Sequence, residues 1–371
     1  MNVTVETVKT KKQLRAFVEL PWSIYLAYPH WAPPLKSDVY EILDDTKHPF
    51  WTHGKRELFI AKRGDVVVGR IAAIVDTAHN EQHNELQGAF GFFECADDDE
   101  VAQALFEAVE KFHRENGSEF IRGPLNPSLN YEAGTLVKGF HIPAVIGGPF
   151  NPPYYSRLFE TVGFAKEKDL FMWRRDSLAQ RPPKRKRPLR RKKPGRDFVL
   201  RPVDMKRFDE EAKLMLELFK GAWKDNWGFT PATYEEFKWM AGHFKDILIP
   251  DFCIFVEHEG KAQGFVLALP DANVLLRKLN GSIGLRGLIA AIRQGGSYPG
   301  LRIILAGFLP SIRATVAPLL LMRHFEEKII AGAYQYLEEG WVLEDNSAAN
   351  LVLAKSGSRH AKTFRIYRKE L

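Results

Sequence analysis

Apolar and polar residues alternate along the first half of the chain in short runs that predict strands, with one longer stretch at helical spacing. Apolar runs at 57–61 and 66–76, separated by a turn that contains glycine, predict a hairpin, and 89–94 predicts a third strand. Between 101 and 112 the apolar residues recur every three or four positions, which predicts an amphipathic helix. A further strand is predicted at 120–123.

The second half repeats this order. Its predicted elements are a strand at 198–203, a helix at 208–219, a hairpin at 253–269, a strand at 302–308, a long helix at 316–331 and a strand within 334–343. Each half therefore runs helix, hairpin, strand, helix, strand, helix, strand. This order predicts an α+β fold, α/β in the wider sense, with a mixed central sheet flanked by helices.

Each half also ends in the same way, with a capping residue, a short helix, a glycine and a closing strand. Asn151 and Asn346 are the predicted caps, because an asparagine side chain can accept a hydrogen bond from the first free amides of a helix. Gly163 and Gly357 stand where a helix needs a left-handed residue to end. Two copies of one closing unit predict two similar domains.

The length of 371 residues agrees with two domains, since single cores rarely grow beyond about 250–300 residues. The predicted division is an amino-terminal domain at 1–178, a basic, proline-rich linker at 179–197, and a carboxy-terminal domain at 198–371 with an insert at about 271–300. The linker contains four prolines, which forbid a stable helix, so we expect it to be extended. Its charge is compatible with a solubilising tether and with docking to RNA or anionic lipid headgroups.

The net charge of +7 comes from ten basic residues at 181–196 of this linker, because the chain without 181–196 holds 43 basic against 46 acidic residues. A second asymmetry lies at 272–325, where no Asp or Glu occurs and seven Lys or Arg residues do. Such a stretch creates a positive potential that suits phosphates or an anionic surface. Within it, the sequence of 285–293 predicts a basic amphipathic helix. This helix could contact a membrane, or it could pack in the core with its arginines extended to solvent.

The amino end has no apolar segment of signal-peptide length, and no run of about 18 apolar residues occurs, so the protein is expected to be cytoplasmic. Cys95 and Cys253 lie in apolar, strand-like runs and are interpreted as small buried hydrophobic residues. His79 and His83 have helical spacing, but no third ligand of suitable type follows nearby. We therefore predict a polar loop there and no metal site.

Six short motifs accompany this order of elements. They lie at 20–22, 68–73, 91–94, 122–124, 151–155 and 341–346. With them, the order of elements resembles the GNAT acyltransferase superfamily, present twice. It is more closely similar to a bacterial tandem-GNAT family whose members include acyl-CoA-dependent ceramide synthases. The resemblance covers nearly the whole chain outside the linker, and it implies an acyl-CoA co-substrate, an amine acceptor and no permanently bound cofactor.

The resemblance also implies where the donor binds. GNAT enzymes hold the pyrophosphate of acyl-CoA on backbone amides of the loop that leads into the central helix. In the second half that loop contains Arg313, but Val316 and Pro318 replace the small residues of the family pattern. In the first half three aspartates, 97–99, would repel a pyrophosphate. The candidate cofactor-binding residues are therefore Phe308, Leu309, Arg313, Ala314, Thr315, Val316 and Asn346.

Catalysis in this superfamily requires a general base and a tyrosine that protonates the leaving thiolate. Leu353 stands where the family has that tyrosine. The candidate catalytic residues are Tyr367, Tyr154 and Tyr155 as replacement acids, and Glu344 and Asp345 as bases. The plainer alternatives are a helix cap at 344–346 and packed aromatics at 154–155. The candidate substrate-binding residues are Asn130, Glu132 and Asn151.

Two functions follow as hypotheses. The first is an N-acyltransferase that moves an acyl group, with a long chain as one option, from acyl-CoA to an amine, with a sphingoid or other lipid amine as candidates. The second is a non-catalytic tandem-GNAT scaffold that binds an anionic ligand, lipid or RNA. For the enzyme we expect cytoplasmic localisation, with peripheral association at an anionic inner membrane face as a further option, and no nucleic-acid partner.

Overall fold

The computed structural model describes residues 2–176, 198–284, 289, 297–332 and 334–371. The strands are β1 (Val3–Thr7), β2 (Gly54–Arg63), β3 (Val66–Asp76), β4 (Gln87–Cys95), β5 (Phe120–Gly123), β6 (Leu125–Asn126), β7 (Glu132–Ala133), β8 (Thr135–Lys138), β9 (Ala165–Asp176), β10 (Phe198–Pro202), β11 (Cys253–His258), β12 (Lys261–Pro270), β13 (Gly300–Phe308), β14 (Tyr336–Leu343) and β15 (Arg359–Glu370).

The helices alternate with these strands. They are α1 (Lys11–Ile24), α2 (Lys36–Ile42), α3 (Thr77–His83), α4 (Asp99–Glu115), α5 (Tyr155–Thr161), α6 (Phe208–Trp223), α7 (Tyr234–Phe244), α8 (Asn273–Leu279), α9 (Pro310–Arg313), α10 (Ala317–Ala331) and α11 (Ser347–Ser356). The predicted fold class, a mixed sheet flanked by helices in two similar halves, is confirmed.

One mixed sheet runs through both halves, in the order β1-β2-β3-β4-β5-β15-β9-β14-β13-β12-β11-β10, with β8 paired to β15. The two ends of this order mirror each other, since each starts with an antiparallel meander of four strands that leads to a parallel pair. The duplicated order that the sequence predicts is therefore present in space.

The closing strands do not stay with their own halves. β15, the last strand of the chain, lies between β5 and β9 of the first half, and β9 lies between β15 and β14 of the second. The expectation that each half is a separate sheet with its own closing strand is corrected by this arrangement. Both strands are hydrogen-bonded on two sides, which joins the halves. The predicted linker at 179–197 lies outside the described residues.

The core is layered on both faces of the sheet in each half. In the first half α4 and α5 pack on one face, and α1 packs on the other. In the second half α6 and α7 cover one face and α10 covers the other. In each half the apolar face of a helix lies against strand residues that are almost fully buried, as the periodicity of the sequence predicts.

Local predictions differ in outcome. Gly163 and Gly357 have positive φ angles of 91° and 92° and follow α5 and α11, as predicted. The polar loop predicted around His79 is wrong: α3 forms there because the Asp76 side chain accepts a hydrogen bond from the His79 amide. Of the predicted helix at 285–293, only Ile289 lies within the described residues.

Candidate active site

The second half contains an open gap in its sheet. The parallel strands β13 and β14 are paired from Gly300 to Ile303 and then diverge, although both continue beyond the last pair. We call the space between their diverging ends the second gap. It opens into a cavity of about 1550 Å³ that reaches under α10 and α11 on one side and between α6 and α7 on the other. Most of its lining side chains are apolar.

A few charged and polar groups stand in this apolar lining. The first half contributes Glu132 with its neighbours Asn126 and Asn130, and the second half contributes Arg302 and Glu339. Glu132 lies on β7, in a small hairpin with β6. The cavity is thus a composite of both halves, and two of its carboxylates, Glu132 and Glu339, are carried by strands.

Glu132 is the group best suited to accept a proton. Its Oε1 accepts a 3.0 Å hydrogen bond from Asn126 Nδ2, and among the described residues nothing donates to Oε2. Burial raises the pKa of Glu132, and the cations Arg302 and Arg70 offset this only in part. A carboxylate with one unpaired oxygen and a raised pKa, facing a cavity, has the properties of a general base.

Arg302 and Glu339, the other charged groups beside the second gap, are held by partners. Arg302 Nη1 donates to the Ile146 carbonyl at 2.5 Å, and burial lowers the pKa of Arg302 to about 10. Glu339 accepts a hydrogen bond from Ser358 and lies 3.6 Å from Arg175, and burial raises its pKa. Both oxygens of Glu339 are therefore engaged, unlike those of Glu132.

The mouth of the cavity lies beside the predicted donor loop. β13 ends at Phe308, α9 follows, and α10 begins at Ala317. The exposed Arg313 side chain donates to the carbonyls of Phe308 and Ala222 at 3.3–3.4 Å, and Phe308, Arg313 and Asn346 all line the cavity. Pro318 occupies an early position of α10, where its missing amide would have had no partner within the helix.

The corresponding place in the first half, the first gap between β4 and β5, is closed. A Cβ placed on Gly91 of β4 would lie 1.8 Å from the Leu125 carbonyl oxygen, so the chain that follows β5 fills the gap. The start of α4 is also occupied, because Asp98 accepts hydrogen bonds from the Glu100 and Val101 amides and pairs with Arg63 at 2.7 Å. No free helix end is left there for a phosphate.

Comparisons with known proteins agree with this geometry. A scan against models of protein families finds no match. A tandem GNAT protein from the clavulanic acid biosynthesis pathway superposes with a TM-score of 0.58 at 14% identity and covers 100% of this chain and 98% of that one. A GCN5-related N-acetyltransferase from Sphaerobacter thermophilus gives 0.55 at 13% identity, with 99% and 95% covered. Both establish the fold.

In sequence, the chain is 34% identical over 378 residues to the bacterial ceramide synthase of Caulobacter vibrioides, covering 100% of this chain and 98% of that protein. The chain belongs to the tandem-GNAT family of this ceramide synthase. Protein YghO of Escherichia coli is also similar, at 32% identity with 99% and 95% covered. The predicted family is confirmed, and membership in the ceramide synthase family supports N-acyl transfer as the class of reaction.

The tyrosines predicted as acids lie in the core of the first half. Tyr155 donates to Glu94 at 2.6 Å, and Tyr154 donates to the Cys95 carbonyl at 2.8 Å. Burial raises the pKa of Glu94 to about 7, and Arg70, 3.6 Å away, opposes that rise. Tyr367 on β15 is fully buried, with its ring 5.3 Å from that of Phe159. None of the three tyrosines lines the cavity.

The predicted bases lie at the surface. Glu344 pairs with Lys166 at 2.6 Å and accepts the Asp169 amide at 2.9 Å, and Asp345 pairs with Lys168 at 2.7 Å. Lys168 lowers the pKa of Asp345, which makes it a weaker base. Neither carboxylate lines the cavity, although the neighbouring Asn346 does and also caps α11.

Of the residues predicted to bind substrate, two line the cavity and one does not. Glu132 and Asn130 face it, and Asn130 Nδ2 donates to the Thr230 carbonyl of the other half at 2.9 Å. Asn151 is buried, and its amide exchanges hydrogen bonds with the backbone of Leu136. It is therefore not the cap that the sequence predicts, and α5 begins only at Tyr155.

Sequence reasoning missed several charged cavity residues, among them Arg175, Arg302 and Glu339. A signal was present, because two consecutive carboxylates, Glu338 and Glu339, stand in a strand whose neighbours are apolar. Glu338 is fully buried against Lys362, at 2.9 Å. Charges are rarely buried without a partner or a function. The pairing of Glu338 with the last strand could not be read from the sequence, since it depends on the exchanged closing strands.

No helix within the described parts of the chain is both long and apolar enough to cross a membrane.

Proposed function

We propose that the protein is an acyl-CoA-dependent N-acyltransferase that transfers a long acyl chain to a lipid amine. The name of the Caulobacter relative, a ceramide synthase, indicates a sphingoid base as the class of acceptor. Because lipid amines reside in membranes, the proposal includes a cytoplasmic protein that works at the inner membrane face.

The observation that carries the proposal is the apolar cavity continuous with the second gap. Pockets for drug-sized ligands are about 300–1,000 Å³. The cavity, at about 1550 Å³, is larger and is lined mainly by apolar side chains. An acetyl group and a small soluble amine would leave most of that surface without contacts. Two long hydrocarbon chains would bury it, and each methylene buried contributes about 0.8 kcal/mol.

The distribution of charged groups in the cavity supports one orientation for the acyl-CoA donor. Arg313, just before α10, and Arg323, nearly two turns into it, line the cavity, whereas Glu132 lies on the strand β7. Cations and a helix amino terminus favour phosphates. A CoA headgroup bound at the mouth would direct its thioester into the second gap, and the acceptor nitrogen would approach from the side of Glu132.

The reaction then needs one base. The amine nitrogen attacks the thioester carbonyl, a C–N bond forms and the C–S bond breaks. Glu132 takes the proton that the nitrogen loses, and the CoA thiolate leaves and is protonated, so the products are an amide and free CoA. The base is ionised above its raised pKa, and burial makes the carboxylate a stronger proton acceptor than a solvated one.

Calorimetric titration with acyl-CoAs of increasing chain length tests the donor. We expect affinity to rise with chain length and the heat-capacity change to become more negative, because more apolar surface is buried. Mass spectrometry of mixtures with a long-chain amino alcohol should then detect the amide. Equal affinity for acetyl-CoA and a long-chain acyl-CoA would contradict the long-chain donor. Tight binding with no amide from any amine would favour the scaffold, an alternative that Val316 and Pro318 in the loop and Leu353 support.

A further inference from the structure

The outer surfaces of α10 and α11 are apolar and yet lie in solvent. α11 contains six apolar residues in ten, and none of its residues is buried. Four large apolar side chains on the two helices are strongly exposed: Leu319 at 49%, Met322 at 36%, Leu351 at 54% and Val352 at 51%. Several large exposed apolar side chains around one opening indicate a site of contact with another apolar body.

The same surface surrounds the mouth of the cavity. Leu319, Met322 and Val352 are exposed and also line the cavity, as does Ile283 at the end of the described part of the insert. A side chain can do both only where the cavity meets the surface. An apolar ring around the entrance to an apolar cavity lets a hydrocarbon chain enter without crossing water.

Three cations lie on the segments that carry this ring. Arg313, Arg323 and Lys355 are exposed, and none of them forms an ion pair within the part of the chain that the structure describes. Elsewhere exposed cations are often paired, as Arg157 is with Asp97 and Asp99. From 272 to 325 the sequence has no acid, and the nearest carboxylates on α10, Glu326 and Glu327, lie further towards its carboxy end.

We infer that the α10–α11 surface docks on an anionic lipid bilayer and opens the cavity mouth to it. The inference rests on the proposed function, since it supplies the route by which a lipid acceptor reaches the site. Apolar side chains would enter the headgroup region while the unpaired cations bind lipid phosphates. A soluble protein partner would match the apolar residues equally well, but the unpaired cations around the cavity entrance favour an anionic lipid surface.

Flotation of the full-length protein with vesicles tests this. We expect it to float with phosphatidylcholine vesicles that contain phosphatidylglycerol, and not with phosphatidylcholine alone. The double variant Leu351→Asp with Lys355→Glu should bind about tenfold more weakly. Neither residue lines the cavity. Val199→Asp with Lys261→Glu, which makes the same changes at exposed positions on β10 and β12, is the matched control and should bind like wild type.

The inference is overturned if the wild-type protein does not float with anionic vesicles, or if the control variant loses as much vesicle binding as the α11 variant. It is also overturned if the wild type is a dimer that the α11 variant converts to a monomer, because the surface would then be a contact between copies. Thermal unfolding checks the fold, and Leu351→Ser is the milder variant if the first one unfolds. Acyl transfer to a detergent-dispersed amine separates the hypotheses. If the wild-type protein transfers the acyl group but does not float, only the docking inference fails. If acyl transfer is absent, the proposed function fails.

Discussion

The two gaps lie at equivalent places in the sheet, between the parallel strands of each half, but the first is filled by the chain and the second opens into a cavity. In the first gap the chain after β5 turns back so closely that Gly91 has no room for a side chain, and Asp98 caps the helix beyond it. In the second gap the strands diverge onto a cavity, and the helix beyond it is preceded by Arg313. One half has the space and the charge for an acyl-CoA, and the other has neither.

The segment that fills the first gap also supplies a residue to the cavity at the second gap. This segment continues into β6 and β7, and β7 carries Glu132 into the cavity. Burial in this position raises the pKa of the carboxylate. A duplicated fold can thus lose one donor site and use the same elements to complete the other. The comparison predicts that the first half supplies the base and the second half holds the donor.

The largest expected effect is on catalysis. Glu132→Gln keeps the shape of the side chain but cannot take a proton, so we expect kcat to fall about 10²–10⁴-fold with little change in acyl-CoA affinity. In the wild type, the rate should fall as pH drops below the raised pKa of Glu132. Steady-state kinetics over a pH series measure both.

Glu344→Gln is the control for this variant, because Glu344 is the base that the sequence alone favours. It lies in an ion pair at the surface, and we expect a near-wild-type rate. A large loss in Glu344→Gln with none in Glu132→Gln would assign the base to the second half and remove the division of roles.

The filled first gap should be sensitive to volume. Gly91→Ala places a methyl group against the Leu125 carbonyl, and such overpacking costs about 1–3 kcal/mol in the free energy of unfolding. Gly242→Ala, inside α7 with nothing near its Cβ, should instead stabilise by about 0.5–1 kcal/mol. Urea denaturation compares the two, and an unaltered midpoint for Gly91→Ala would mean that the first gap is not tightly filled.

The donor side can be tested by charge reversal in each half. Arg313→Glu should weaken acyl-CoA binding by about 1–3 kcal/mol, through loss of a charge-assisted phosphate contact. Arg157→Glu, at the matching end of the first half beside Asp97 and Asp99, should leave it unchanged. Calorimetry measures both, and the reverse result would move the donor to the first half.

The smallest expected effect concerns the contact between the halves. His53 bonds to Asp76 at 3.0 Å and to Glu236 of the second half at 3.2 Å, and these hydrogen bonds raise its pKa to about 10. Because the folded pKa lies above the unfolded value of about 6.5, the stabilisation is complete below pH 6.5 and is lost as the pH rises through 10.

A partly solvated pair of this kind contributes on the order of 1 kcal/mol. Thermal unfolding between pH 6.5 and 10 should show this loss in the wild type, and His53→Gln should show less pH dependence. His141→Gln, at an exposed position, is the control. If the pH dependence of His53→Gln equals that of wild type, another group links the halves.

Much of the fold follows from local rules in the sequence. Helix periodicity places α4 and α10, and Gly163 and Gly357 end their helices because a left-handed residue is needed there. The absence of acids from 272 to 325 and the aspartates at 97–99 already indicate which half suits phosphates. These features depend on residues that are close in the sequence, so they can be predicted from a single amino-acid sequence.

The site itself was decided by contacts that are distant in sequence. The exchange of β9 and β15 buries Glu338 against Lys362 and removes Tyr367 from the cavity, and nothing local encodes that choice of partner strand. Glu344 pairs with Lys166, 178 residues away in the sequence, and this ion pair makes it less available as a base. The sequence by itself determined the elements, their duplication and the sign of the charge in each half. Only the tertiary structure decided which carboxylate faces the cavity and can act as the base. The reason is that burial and ion pairing set the pKa of a carboxylate, and both depend on how the two halves are assembled.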